Sequence, residues 1–217
     1  MNLQFFGHPF SSYTQKVLIA LWADETPFEY RMLDPQHPDN GEELRRYSPL
    51  GQFPLLIDDD VALFESTPII EYLQACHPGP NCWIPEGADG RRVRFFDRFF
   101  DLHVMNEMQA IVADALRPEG SRDPYGVARA RERLRIAYDW LERQIGDGWA
   151  AGDRFTLADC AAAPSLFYAD WAEPIGANGP RLAAYRARLL ADPVVARAVE
   201  EGRQYRPFFP LGAPDRD

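Results

Sequence analysis

Gly51–Leu73 reads GQFPLLIDDDVALFESTPIIEYL. Two short apolar runs, Pro54–Ile57 and Val61–Phe64, flank the triplet Asp58-Asp59-Asp60, the pattern of a β-hairpin with an acidic turn. Glu65-Ser66 follows at once, then Thr67-Pro68 and a helical apolar spacing at Ile69, Ile70 and Leu73. Proline suits a first helical turn and a hydroxyl before it suits the cap, so Thr67 is the expected cap residue. Glu65 and Ser66 therefore lie where a strand feeds a helix N-terminus, whose free N–H groups attract a carboxylate. With Glu65 supplying the opposite charge, such a site accommodates both ends of an amino acid. Read alone, the stretch is better accounted for by ordinary capping beside a solvated glutamate.

Upstream, Leu3–Phe6 reads as a strand, His8–Ser12 as a turn, Tyr13–Ala23 as a helix and Phe28–Met32 as an alternating strand. Glu42–Tyr47 is a short helix, and Ser48-Pro49-Leu50-Gly51 turns into the hairpin. The order β-α-β-α-β-β-α predicts a small mixed sheet covered by helices over residues 1–78. Pro78, Gly79, Pro80, Pro85, Gly87 and Gly90 mark residues 79–90 as a linker. Residues 91–217 are helical in pattern, at about 91–116, 126–146, 156–172, 179–190 and 193–203. The fold class is thus α/β followed by all-α.

The chain has 217 residues, 46% hydrophobic and 13% aromatic, enough for two cores. No signal peptide is discernible and Val17–Ala23 is too short to span a bilayer, so a cytoplasmic location and no membrane partner are expected. Net charge is −10. Residues 1–78 hold 4 basic and 12 acidic side chains, hence −8, which argues against nucleic-acid binding. Lys16 is the only lysine and is given no role. Cys76, Cys82 and Cys160 form no CxxC, and with 4 scattered histidines neither a disulfide framework nor a metal site is expected.

The first turn carries Ser11-Ser12-Tyr13-Thr14 where a redox protein of this layout has its two cysteines. Thiol chemistry must then come from a bound ligand. A serine at a helix start donates a hydrogen bond to a thiolate, and the helix dipole favours the ionised sulfur; simple capping by Ser11 and Ser12 is an equal alternative. In Ser48-Pro49-Leu50-Gly51-Gln52-Phe53-Pro54, a cis Phe53–Pro54 bond would turn the Phe53 backbone toward a ligand, although trans is the statistical default.

Together, the serine turn, LGQFP and Glu65-Ser66 closely resemble the N-terminal domain of cytosolic glutathione transferases, the serine-type theta-like and zeta-like branches in particular. Gly152–Asp159, GDRFTLAD, resembles the capping box and hydrophobic staple that open the central helix of that family's helical domain, with Thr156 as cap, Asp159 at N3 and Phe155 packing on Cys160. The resemblance covers nearly the whole chain. It implies a thioredoxin-like glutathione-binding domain, an all-helical domain with the electrophile site, and a homodimer. It further implies Ser11 facing the glutathione sulfur with Ser12 beside it, Phe53 and cis Pro54 at the cysteinyl backbone, Glu65 and Ser66 at the γ-glutamyl group, and Gln52 toward the glycyl end. Phe10, His103, Asn106 and Tyr168 are the expected electrophile-pocket residues, with Gln109, Trp171, Phe208 and Phe209 as weaker candidates.

Two departures stand out. Phe5 and Phe6 replace the tyrosine of the alpha, mu and pi types, and Tyr13 replaces the cysteine that follows two serines in the zeta-like turn. The implied activity is attack of the glutathione thiol on a small electrophile, a detoxification transfer. The alternatives are glutathione-dependent reduction of disulfides or peroxides, favoured by a roomy polar cleft, and a non-catalytic glutathione-binding or regulatory protein.

Overall fold

The computed structural model describes residues 3–176 and 178–217. Four strands, β1 (Leu3–Gly7), β2 (Glu29–Met32), β3 (Leu55–Asp58) and β4 (Val61–Phe64), form one sheet in the order β2-β1-β3-β4. β1 and β2 run parallel, joined through α1 (Ser12–Ala23), whereas β1–β3 and β3–β4 are antiparallel. The register sets Phe5 against Leu56 and Leu56 against Leu63; the central strands β1 and β3 are buried, while β2 and β4 at the edges are half-buried to exposed. α2 (Pro38–Tyr47) and α3 (Ser66–Cys76) complete the expected β-α-β-α-β-β-α order. Phe6, Leu44, Leu55 and Ile57 form a small core on the α2 side of the sheet, while Phe5 and Leu56 face the large core shared with the helices. This is a thioredoxin-like domain followed by an all-helical one.

Four boundaries differ from the sequence reading. α2 begins one turn earlier, with Pro38 in its first turn. α3 is capped by Glu65, not Thr67, so Pro68 falls at its third position. The helix α4 (Gly87–Phe99) starts inside the expected linker, since Gly87 takes φ +68 and turns the chain into it. The helix expected over about 91–116 is not uniform: α4 passes into a π-helical segment, Phe100–Met105, and then into α5 (Asn106–Ala115).

The helical domain continues with α6 (Pro124–Gln144), α7 (Leu157–Ala172), α8 (Pro180–Ala191) and α9 (Pro193–Gly202). Every residue of α7 is buried, as its alanine-rich, apolar sequence demands of a helix with no polar face. It packs against α1 and α4 and so joins the two domains. Cys160 lies in this core, and burial pushes its thiol up; Cys76 and Cys82 are exposed. Phe155 lies edge-on to Trp149 and Trp83, centroids 4.9 and 6.4 Å away.

The start of α7 is fixed by Asp159. Its fully buried carboxylate accepts from the Thr156 N–H at 2.9 Å, the Thr156 hydroxyl at 3.1 Å, the Ala150 N–H at 2.8 Å and the Tyr185 hydroxyl at 2.6 Å. Removing the acceptor strands several buried donors, each at about 1–3 kcal/mol. Asp159→Ala is expected to lose about 3 kcal/mol or more and to lower the Tm by roughly 6–12 °C. Thermal melting of the variant checks this.

Candidate functional site

The first turn of α1 is set by short-range hydrogen bonds. The Ser11 N–H donates to the His8 carbonyl at 2.9 Å and the Phe10 N–H to His8 Nδ1 at 3.2 Å. Burial lowers the His8 pKa, the nearby Asp34 charge opposing it, and so favours the neutral ring that can accept. Gly7 is required here, because a Cβ would lie 2.5 Å from Thr14 Cγ2. Ser11 takes extended backbone angles and caps α1, its Oγ accepting from the Thr14 N–H at 3.4 Å. That bond uses an oxygen lone pair and leaves the hydroxyl proton free for another partner.

Three further segments converge on this turn. Phe53 precedes a cis bond to Pro54 and lies outside the β1–β3 ladder, which begins at Leu55. Glu65 caps α3 at φ +80 and ψ 120, a strained conformation for a residue with a side chain. Ser66, 4% exposed, opens α3, whose first N–H groups have no intrahelical partner. Across from them stands α5 with Asn106 and Gln109.

Ser11, Tyr13, Gly51, Gln52, Phe53, Pro54, Phe64, Glu65, Ser66, Asn106 and Gln109 line one cavity of about 430 Å³. Eight of the expected residues are thus together: Ser11, Gln52, Phe53, Pro54, Glu65, Ser66, Asn106 and the weaker candidate Gln109. The others lie elsewhere. Ser12 is buried at the start of α1 and does not line the cavity. Tyr168 is 3% exposed, donates to the Phe10 carbonyl at 3.0 Å and accepts from Gln15 at 3.1 Å. Phe10 packs edge-on against it, centroids 5.4 Å apart, so both belong to the packing beneath the turn. His103 stacks near Phe99 at 5.0 Å and lines a separate groove between the π segment and α6. Trp171 and Phe209 are buried against each other, and Phe208 is 74% exposed.

Tyr13 is the lining residue that the sequence marks only as a departure from pattern. Its hydroxyl lies 3.5 Å from Asn106 Oδ1. Burial, then the charges of Asp101 and Glu65, push the phenol far above its ordinary value, so it keeps its proton. Among the described residues no group of three metal-binding side chains occurs, and no helix is long and apolar enough to cross a membrane.

Residues 5–81 match the family described as glutathione S-transferase, N-terminal domain, and residues 124–188 match glutathione S-transferase, C-terminal domain. The chain belongs to the glutathione S-transferase family. It is 28% identical over 212 residues to a probable maleylacetoacetate isomerase of Vibrio cholerae, covering 94% of this chain and 98% of that protein. It is 31% identical over 156 residues to glutathione S-transferase 1 of Manduca sexta, covering 68% of each chain. Its structure is similar to a glutathione S-transferase of Methylobacterium radiotolerans in complex with glutathione sulfonate, with a TM-score of 0.78, 29% identity and coverage of 92% of this chain and 95% of that one.

The strain at Glu65 generates a prediction. Glycine normally costs about 0.5–1 kcal/mol on substitution, but at φ +80 it relieves the side-chain clash. Glu65→Gly should leave the Tm unchanged or raise it, whereas β-branched Glu65→Val should lose about 1–2 kcal/mol. Paired urea titrations measure both.

Proposed function

We propose that the protein is a glutathione-dependent transferase in which Ser11 stabilises the thiolate of glutathione for attack on a small electrophile. The carrying observation is the convergence of Ser11, Phe53-Pro54 and Glu65-Ser66 on one cavity between the domains. Glu65 meets the γ-glutamyl ammonium and the α3 N-terminus with Ser66 meets its carboxylate. The Phe53 backbone, free of the ladder, pairs with the cysteinyl unit, and Gln52 lies toward the glycyl end. The sulfur then lies by the α1 N-terminus, where the Ser11 hydroxyl and the helix dipole favour its ionised form. Ser12, buried away from the cavity, takes no part in this reading. A second reading, reduction of disulfides or peroxides with a second glutathione, draws on the polar lining supplied by Gln52, Asn106 and Gln109.

A second copy of the chain is the proposed partner. The groove that holds His103, about 560 Å³, is mostly apolar, lined by Phe99, Leu102, Ile136 and Trp140, with the Glu107–Arg133 ion pair also in its lining. Leu102 and Ile136 are 40% and 61% exposed, and the edge strand β4 exposes Val61 and Phe64. Paired copies would cover both. Ile136→Asp should therefore yield monomers by light scattering where the parent is dimeric.

Titrating glutathione while following thiolate absorbance tests the reaction. A lost charge-assisted bond is worth roughly 1.5–3 kcal/mol, or about one to two units of thiol pKa. Ser11→Ala should raise the pKa of bound glutathione by that amount with little change in affinity, and Ser12→Ala should not. Glu65→Ala should instead weaken binding about tenfold or more. An unshifted pKa in Ser11→Ala overturns the serine mechanism.

A further inference from the structure

The turn that presents Ser11 is held from behind, and each carbonyl from His8 to Ser11 accepts a hydrogen bond from within the protein. The His8 carbonyl accepts from the Ser11 N–H and the Ser11 carbonyl from the Gln15 N–H, both at 2.9 Å. The Phe10 carbonyl accepts from the Tyr168 hydroxyl at 3.0 Å, and the Pro9 carbonyl from Gln15 Nε2 at 2.8 Å. These oxygens, each with a partial negative charge, are thereby committed to internal donors. The buried Gln15 amide is the hub, because Nε2 also lies 3.1 Å from the Tyr168 hydroxyl and 3.3 Å from the Ala198 carbonyl on α9. Carbonyl oxygens only accept, so the Pro9 and Ala198 carbonyls fix the amide with its NH2 group toward them.

A second observation singles out the same spot. Gly202 ends α9 with helical angles, φ −78 and ψ −16, so no left-handed backbone calls for glycine, and alanine is the better helix former. A Cβ there would lie 3.1 Å from both Gln15 Nε2 and the Pro9 carbonyl oxygen. The glycine lets α9 close on the Gln15–Pro9 bond without pushing it apart.

We propose that Gln15 is a positioning residue that favours ionisation of the bound thiol by holding the Pro9 carbonyl, and through Tyr168 the Phe10 carbonyl, away from the sulfur, with α9 as its backstop. The inference rests on the glutathione reading above. Gln15 does not line the cavity and acts only through the turn. A carbonyl oxygen turned toward a thiolate opposes its charge and raises the thiol pKa. The clamp therefore acts on the sulfur and leaves the γ-glutamyl contacts at Glu65 and Ser66 alone. Tyr168, expected from the sequence to face the electrophile, belongs to this clamp instead.

Gln15→Met keeps the length of the side chain and removes its donors. Gly202→Ala presses on the clamp with the donors intact. Tyr185→Phe, which removes one donor from Asp159 at the start of α7, is the structural control. Thiolate absorbance gives the pKa of bound glutathione in each variant, calorimetry the affinity for S-methylglutathione, which has no thiol proton, and melting the Tm. The expected result is a thiol pKa raised by about 0.5–1 unit in Gln15→Met and by less in Gly202→Ala, with S-methylglutathione bound as in the parent. Tyr185→Phe should lower the Tm and leave the thiol pKa unchanged. An unshifted thiol pKa in a folded Gln15→Met overturns the proposal, as does an equal shift in Tyr185→Phe. Should Gln15→Met fail to fold, Gly202→Ala decides by the same readout. A parent that does not bind glutathione, or binds it without lowering its thiol pKa, overturns the reading beneath the proposal and the clamp with it.

Discussion

Lys16 is the chain's single lysine, and its ammonium is buried to 1% exposure where the two domains meet. It lies 2.6 Å from Asp97 Oδ1, 2.8 Å from Asp101 Oδ2 and 2.9 Å from Thr67 Oγ1, and the Thr67 hydroxyl donates to Asp97 Oδ2 at 2.8 Å. One cation thus joins α1, α3 and the α4–π helix. Removing one partner of such a buried cluster costs about 3–5 kcal/mol, because the remaining charge stays desolvated. Two carboxylates share the ammonium, so burial and the like charge of Asp97 raise the Asp101 pKa while Lys16 opposes them. The arrangement therefore fixes geometry more than it adds stability.

The π segment makes that geometry reach the cavity. Tyr13 and Lys16 are three apart on α1 and share a face. Their partners on the long helix, Asn106 and Asp101, are five apart, a spacing that diverges by about 140° on an α-helix. Within the π turn the Asn106 N–H bonds to the Asp101 carbonyl, one turn back, and both side chains face α1. The other end of the cluster acts on Glu65. Thr67, two residues beyond, is anchored to Lys16 and Asp97, while the Glu65 carbonyl accepts from the Ile69 N–H at 3.1 Å. A φ of +80 at a glutamate persists because its surroundings are held on both sides.

Legibility in the sequence follows the range of the interaction responsible. The hairpin, the element order and the Thr156–Asp159 box are local patterns, readable from alternation, turn residues and a three-residue spacing. Thr67 before Pro68 is a good local signal for the cap of α3, yet Glu65 holds that position. The Thr67 hydroxyl is instead taken by Lys16 and Asp97, 51 and 30 residues away. The π turn leaves no mark in a helical apolar stripe, since Phe96 and Phe100 are buried whichever register follows. Phe10 and Tyr168 resemble pocket aromatics in composition, yet the Tyr168 hydroxyl is satisfied internally by Phe10 and Gln15. Lys16 carried no signal at all, because only the fold reveals that a lone lysine in an apolar helix faces two aspartates.

The charge of the first domain also resolves through placement. A net −8 over residues 1–78 is at first sight a poor host for an anionic ligand. Six of the twelve acids are nonetheless engaged by partners outside the cavity. Asp24 accepts from Trp83 and Asn81, Glu29 and Glu43 pair with Arg31, Asp34 with His37, and Glu71 with Arg94. Asp58 accepts from His77 and Tyr72, and the His77 hydrogen bond above all holds its carboxyl below the usual carboxylate range. Among the described residues Glu65 is the one acid lining the cavity, and it stands beside the N-terminus of α3. The local field there is a paired one, a carboxylate next to exposed N–H groups. Such a pair matches a zwitterionic amino-acid head even though the domain as a whole is strongly negative.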